Sequence, residues 1–440
     1  MAKKKEQLTF NEILAKSCIP IAEQPFEIPE DWKWCRLGDI YEINPKNMAQ
    51  DDTLASFVPM DKASAGMDYG FDYDVMPWGK AKKGHVQLAN GDVSFAKITP
   101  CFENRKSMII QNLKNGIGAG STEFVVLRQS AMNQFFTYYL ITDERFIRGG
   151  LGTYSGTVGQ QRISMDFVRN YPVPVPPRTV QNKLVDLIER EFQRIRKAEE
   201  LIHAALDSAE ERKQSILHKA FTGELTEKWR LENGISNSTW HTEKLKKICD
   251  VNPKKEDVNN LPDDTKVSFF PMASLDEITG TITSPQVRSL GEVKKGFTNF
   301  REGDVVFAKI TPCMENGKSA VIGKLVNDIG YGTTEFYVLR CTDKINNRFL
   351  FHLIRSKRFR KAAKQEMTGA VGQQRVPKKY LEEYEIFLPG IDEQDEIVKL
   401  LDSFINEEDT FAEIANQTML ELEELKKSIL NKAFRGDLIH

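Results

Sequence analysis

Apolar positions along the chain follow two different periods. Within 29–177 and again within 223–389, short runs rich in β-branched and aromatic residues lie between glycine, proline and asparagine, a pattern that predicts strands. Val93–Ala96 and the runs at 107–110 and 123–127 are examples. A helix is predicted over 133–147, with a counterpart over about 348–365, and each segment closes on a proline-bounded strand, 171–177 and 384–390. After those prolines the period changes. Ile397, Leu401, Phe404, Phe411, Ala415, Leu422, Leu425 and Ile429 fall on alternating three- and four-residue steps, interrupted by Glu408 and Thr418. Leu184, Ile188, Ile195, Ala198, Ile202, Ala205, Ala209 and Ile216 do the same, interrupted by Glu191 and Arg212. Such a heptad-like seam predicts two helices of roughly 40 residues, about 60 Å long. Gly223 and Gly436 stand where each would stop. A stripe of that length needs another long helix, and an internal antiparallel pair related by a pseudo-twofold axis is favoured over separate partner proteins.

The two periods recur because the chain is duplicated. Ser56-Phe57-Val58-Pro59-Met60 returns as Ser268-Phe269-Phe270-Pro271-Met272, and Phe95-Ala96-Lys97-Ile98-Thr99-Pro100-Cys101 as Phe307-Ala308-Lys309-Ile310-Thr311-Pro312-Cys313, both at an offset of 212. Glu103-Asn104 matches Glu315-Asn316, and Thr122-Glu123-Phe124 matches Thr334-Glu335-Phe336 at the same offset. Gly156 and Val158-Gly159-Gln160-Gln161-Arg162 match Gly369 and Val371-Gly372-Gln373-Gln374-Arg375 at 213, as do Ser215-Ile216-Leu217 and Ser428-Ile429-Leu430. Matched blocks in one order and nearly one register establish an internal repeat. Two units, each a mixed α/β globular domain followed by one long helix, account for the 440 residues.

Composition changes this picture little: 40% hydrophobic and 28% charged residues are those of a globular chain. No apolar run reaches bilayer length, the Met1-Ala2-Lys3-Lys4-Lys5 start is not that of a signal peptide, and the six cysteines form no CxxC pair. A cytoplasmic protein with reduced thiols is expected. The net charge of −2 is unevenly spread. Residues 29–177 carry 16 basic and 16 acidic side chains, 223–389 carry 27 and 22, and 390–440 carry 5 and 13.

A search for catalytic motifs yields little. Gly317-Lys318-Ser319 lacks the leading glycine of a P-loop, because Pro312 stands there. Asn44-Pro45-Lys46 and Asn252-Pro253-Lys254 lack the second proline and aromatic residue of an adenine-methyltransferase loop, and the six histidines show no zinc-ligand spacing. The glycine-rich stretch 116–120 is expected in a strand connection, Glu123 and Glu335 are expected to satisfy local amides, and Cys101 and Cys313 are read as small buried thiols. What the repeat preserves is polar and basic side chains beside turn residues. Lys97, Thr99, Asn104, Arg105 and Lys106 form one cluster, with Lys309, Thr311, Asn316 and Lys318 as its twin. Ser155, Thr157, Gln160, Gln161 and Arg162 form a second loop, with Thr368, Gln373, Gln374 and Arg375 as its twin. Glycine allows close backbone approach, glutamine binds adenine bidentately and arginine binds guanine or phosphate, so these are the candidate DNA-binding residues.

On these phrases, on the proline-closed strand entering a helix, and on the helix ends 215–229 and 428–438, the chain resembles the specificity subunits of type I restriction–modification systems, from about Glu30 onward. The resemblance implies an α+β chain made of an N-terminal extension (1–28), a target recognition domain (29–177), a central long helix (178–222), a second recognition domain (223–389) and a C-terminal long helix (390–440). It implies that each domain reads half of a bipartite double-stranded DNA site, and that the antiparallel coiled coil sets the spacer. It further implies two docked modification subunits that methylate adenine, and added motor–nuclease subunits. S-adenosylmethionine, ATP and magnesium would then belong to the partners; no cofactor, metal or catalytic residue is expected on this chain, nor a membrane. Shared residues should serve folding, phosphate binding and docking. Base-specific ones are expected where the copies differ, in 61–83 with Arg105 and in 273–295 with Asn316 and Gly317, and the similarity of the shared loops allows similar half-sites. In the extension, Ile13, Leu14 and Lys16 echo Ile216, Leu217 and Lys219, which predicts an added turn of the helical bundle. The rival readings are a scaffold that binds only protein and a self-contained methyltransferase or nuclease.

Overall fold

The computed structural model describes residues 9–157, 159–236, 239–255, 257–258, 260–370 and 372–439. Val158 and Val371 of the repeated loops, the lysine-rich start and His440 lie outside them. The chain divides into two compact units, one of residues 1–202 with 417–440 and one of 203–416.

In unit 1 the Glu42–Ile43, Phe124–Arg128, Val93–Ala96 and Ser107–Ile109 strands lie side by side in that order, all antiparallel. Alternation along these strands explains why Val93–Ala96 is buried on both faces. Val93, Phe95, Val125 and Leu127 join the helices in the main core. Ala96, Phe124, Val126 and Met108 meet Val58 and Leu88 in a second core. Val58 and Leu88 come from a second, mixed sheet of order Asp74–Pro77, Leu54–Val58, Ile117–Gly120 and Val86–Ala89. Unit 2 repeats the plan: Cys249–Val251, Phe336–Cys341, Val305–Ala308 and Ser319–Val321 in one sheet, and Gln286–Ser289, Lys266–Phe270, Gly330–Gly332 and Thr298–Phe300 in the other. In both units a two-stranded ribbon pairs the first strand with the proline-bounded one, Lys33–Arg36 with Pro172–Val175 and His241–Lys244 with Glu385–Leu388.

Three sequence expectations are corrected here. The glycine-rich stretch is an inner strand, Ile117–Gly120, not a connection. A Cβ on Gly118 would stand 2.8 Å from the Ser56 carbonyl oxygen of the parallel neighbour, and one on Gly332 at 2.8 Å from the Phe270 oxygen; glycine is needed for that approach. The helix expected over 133–147 is two helices, Gln134–Thr142 and Glu144–Leu151, and its counterpart is Asn347–Arg355 followed by Lys357–Gln365. Asp143 and Ser356 sit at the junctions in extended conformation, and each side chain caps the second helix. Cys101 and Cys313 are half-buried, not fully enclosed.

The long helices run Arg178–Thr222 and Ile391–Arg435, 45 residues each, and Gly223 and Gly436 end them at φ 83° and 88°. They pair antiparallel within each unit. In unit 2, Arg212 meets Glu408 bidentately at 2.6 and 2.8 Å, while Ile216, Ala220 and Phe221 share a core with Ile397 and Leu401. In unit 1, Lys426 meets Glu199 at 2.6 Å, while Leu184 and Ile188 share a core with Ile429 and Phe434. The two polar interruptions Arg212 and Glu408 are therefore each other's partners. Leu425, expected in the seam, is 47% exposed, and its neighbour Lys426 is buried instead.

Each α/β domain is also held by the end of a long helix. Phe221 packs edge-on to Phe349 at 5.3 Å in unit 2, and Phe434 to Phe136 at 5.4 Å in unit 1, both at 77°. The short N-terminal helix Phe10–Lys16 begins with a Thr9–Glu12 capping box. It lays Phe10, Ile13 and Leu14 on the unit 1 core.

Candidate nucleic-acid interface

The repeated polar residues converge at one place in each unit, and backbone pairing brings them there. In unit 1 the Lys97 amide donates to the Glu123 carbonyl at 2.8 Å and the Ile163 amide to the Lys97 carbonyl at 3.0 Å. Thr99 receives Gln161 twice: its amide donates to the Gln161 carbonyl at 2.9 Å, and its hydroxyl accepts the Gln161 amide at 3.1 Å. Ser155 and Arg162 exchange both backbone bonds, at 3.1 and 2.9 Å, which closes the loop between them. Unit 2 reproduces this. The Thr311 amide donates to Gln374 at 3.0 Å, the Thr311 hydroxyl accepts the Gln374 amide at 3.2 Å, and Thr368 and Arg375 exchange bonds at 3.0 and 2.8 Å. The peptide bonds Thr99–Pro100 and Thr311–Pro312 are cis.

Glutamate holds each loop in place. Arg162 donates to Glu123 from Nη2 at 2.6 Å and from Nε at 2.9 Å, and Arg375 to Glu335 at 2.8 and 2.9 Å. The remaining nitrogens reach the Gln160 and Gln373 carbonyls at 3.1 and 3.0 Å. The arginine hydrogen bonds hold both carboxyls below the ordinary glutamate pKa. Glu123 and Glu335 thus clamp arginines across 39 and 40 residues of sequence, where satisfaction of local amides was expected. The signal was present, since both partners recur in both copies.

Within each loop, Gly156 and Gly369 take φ 113° and 124°, and Ser155, Thr157, Gln160, Thr368 and Gln373 are exposed. Gln161 and Gln374 are half-buried against the threonines. Both arginine side chains keep 43% of their surface accessible despite the clamp.

The other cluster divides. Lys97, Thr99, Lys309 and Thr311 lie in the convergent site. Lys309 stands 5.1 Å from the Tyr337 ring centre, and burial lowers its pKa. Lys106 turns inward and donates to the Met60 carbonyl at 3.0 Å. Arg105 is at φ 52°; its Nε donates to the Thr142 carbonyl at 3.0 Å and its Nη2 pairs with Glu144. Gly317 takes the same place in unit 2 with φ 81°. There the guanidinium contacts come from the opposite direction: Arg355 donates to the Gly317 carbonyl at 3.0 Å and Arg360 to the Glu315 carbonyl at 2.6 Å. Position 105/317 is therefore a left-handed backbone site braced by arginine in both units. Asn316 reaches Glu277 at 3.2 Å, and the Asn104 carbonyl accepts the Gly66 amide at 2.7 Å. The unmatched segments near 66 and 277 thereby stand beside the matched loops. Lys318 is half-buried.

Among the described residues no group of three His, Cys, Asp or Glu side chains has metal-binding geometry, and no helix is long and apolar enough to cross a membrane.

Two α/β domains, each with one braced polar loop and each joined to a long helix, define a duplicated recognition module. The family profile described as Type I restriction modification DNA specificity domain matches residues 29–203 and 237–422, and the chain belongs to that family, with two copies of its domain. The chain is 42% identical over 166 residues to the type I restriction enzyme EcoEI specificity subunit of Escherichia coli, across 37% of this chain and 28% of that one. It is 35% identical over 218 residues to the EcoAI specificity subunit of the same species, across 49% of this chain and 36% of that one. These matches span about a third of those relatives' length. A chain solved in a study of assembly and conformational transition of the type I R-M system shares the fold, with TM-score 0.74 at 21% identity, over 94% of this chain and 100% of that one.

Proposed function

We propose that this chain is the DNA sequence-specificity subunit of a type I restriction–modification complex. Each recognition domain reads one half of a bipartite double-stranded site. The long helices set the spacer and dock two modification subunits, to which motor–nuclease subunits are added. The chain directs chemistry that its partners perform; S-adenosylmethionine, ATP and magnesium belong to those partners.

The observation that carries this reading is the duplicated loop, held by the Glu123–Arg162 and Glu335–Arg375 clamps with an exposed glutamine in each. A rigid backbone that presents amide and guanidinium donors suits phosphate positioning and base-edge contact. The candidate set is the convergent group Lys97, Thr99, Ser155, Thr157, Gln160, Gln161 and Arg162 with its unit 2 counterparts; Arg105 and Lys106 contribute by bracing. With a net charge of −2, the chain alone is expected to bind DNA weakly, with partner subunits supplying part of the phosphate grip.

Sequence selection with the chain assembled with its modification subunits tests the reading. A bipartite motif is expected, with Gln160→Ala relaxing one half-site and Gln373→Ala the other. Equal loss on specific and random DNA would refute base reading, and methylation by the purified chain alone would refute the division of labour.

A further inference from the structure

The two units differ on the loop beside Asn104 and Asn316. In unit 2 this loop is locked by its own polar groups. The Asp276 carboxylate accepts the Ile278 amide at 2.9 Å, the Thr279 amide at 2.7 Å and the Thr279 hydroxyl at 2.9 Å. Arg355 donates from beneath to the Ile278 carbonyl at 2.6 Å and the Glu277 carbonyl at 3.1 Å, while its other nitrogen holds Gly317. The Glu277 carboxylate is engaged by Asn316. Ile278, at the tip, is 78% exposed. At an offset of 212 the matching residue of unit 1 is Gly66, whose φ is 79° and around which a Cβ would meet nothing within 4 Å. The loops are not superposable there, since Ala63 pairs with Phe71 but Leu275 with Ile282, one residue fewer around the turn; unit 2 offers a branched alkyl group on a loop whose unit 1 counterpart is built differently.

We propose that Ile278 reads the 5-methyl group of a thymine in the half-site bound by unit 2, and so distinguishes the two half-sites. This rests on the base-reading role proposed above. A lone exposed isoleucine is ordinary on a protein surface. What sets this one apart is a brace of five hydrogen bonds, within the loop and from Arg355, that commits the nearby polar groups to the protein and leaves an alkyl group outward. An alkyl group cannot exchange hydrogen bonds with a base edge, and thymine is the one standard base with an apolar group in the major groove. Because the loop is already ordered, little conformational freedom remains to be lost on contact.

Deoxyuridine, which lacks only that methyl, is the probe. In the complex assembled with modification subunits, each thymine of the half-site that responds to Gln373→Ala is replaced in turn by deoxyuridine. One replacement is expected to weaken wild-type binding about fourfold, the effect of one buried methyl-sized group. Ile278→Gly, which removes the alkyl group, is expected to bind the two DNAs equally and to lose the thymine preference in selection, whereas Ile278→Leu retains part of it. Indifference of wild type to every such replacement, or an unchanged motif with Ile278→Gly, overturns the proposal while Gln373→Ala still acts on that half-site. If Gln373→Ala affects no half-site, the base-reading role itself is what fails.

Discussion

Glu393 and Arg230 form a buried ion pair in unit 2 at 2% and 6% exposure, and breaking it should be far more costly than deleting it. Glu393 Oε1 is approached by Arg230, by the Thr226 hydroxyl at 2.6 Å and by the Trp240 indole at 3.0 Å. The second guanidinium nitrogen holds the Gly223 carbonyl at 2.7 Å, at the end of the first long helix. Glu393→Val leaves the arginine charge buried without its counter-ion, a loss of about 3–5 kcal/mol. Glu393→Val with Arg230→Met removes both charges. It leaves Thr226 and Trp240 short of an acceptor and the Gly223 carbonyl short of a donor, and should cost roughly 1–2 kcal/mol. Unit 1 supplies a natural precedent, because Val180 stands at the position matched to Glu393, at an offset of 213. Native-state hydrogen exchange over 391–401 and 226–245 reads the local opening free energy in the full chain. The single variant should exchange there at least about fivefold faster than the double, at about 1.4 kcal/mol per tenfold. Equal exchange in the two would refute the claim that the uncompensated charge dominates.

Four further outcomes follow from the geometry. Glu123→Gln should loosen the 155–162 loop and relax selectivity at the half-site that Gln160→Ala identifies, leaving the other unchanged; an unaltered motif would show that the clamp is dispensable. Gly332→Ala should destabilise unit 2 by about 2 kcal/mol or more through the approach to Phe270 and the Phe300 ring, read as a lowered denaturant midpoint. In unit 2, burial lowers the His352 pKa, opposed by its 2.7 Å bond to Asp402. A depressed histidine pKa means that the unfolded chain takes the proton first, so unit 2 should lose stability as pH falls through the ordinary histidine range. His352→Gln should flatten that limb in unfolding at pH 5–7; Tyr139, paired with Glu189, fills the matched place in unit 1. Adding one heptad to each long helix should lengthen the required spacer between half-sites, measured by selection, and an unchanged spacer would exclude the helices as its determinant.

Periodicity made the fold's long elements legible, because a heptad seam is a local property of sequence and the duplication checks it twice. The same regularity misplaced Leu425: the apolar step was counted, but not the ion pair with Glu199 that makes Lys426 the buried residue. Asp143 and Ser356 broke a predicted helix because their capping role depends on the chain turning there. The site was legible as a set of repeated residues and illegible as an arrangement. Nothing local in Glu123 announces Arg162, and nothing in Arg105 announces that Gly317 shares its backbone conformation. Comparison of the copies carries that information: the Glu123–Arg162 and Glu335–Arg375 pairs, matched in both, mark the frame, and the loop that carries Ile278 marks a difference between the copies.

The end of the last helix has a consequence for the order in which the molecule can be made. Ile429, Leu430, Ala433 and Phe434 belong to the main core of unit 1, whereas unit 2 is one continuous stretch, 203–416. During synthesis from the N-terminus, the unit translated first must wait for residues 429–434 to complete its core, whereas the later one has its residues once 416 is free. A chain stopped between residues 416 and 429 would hold all of unit 2 and lack that part of the unit 1 core.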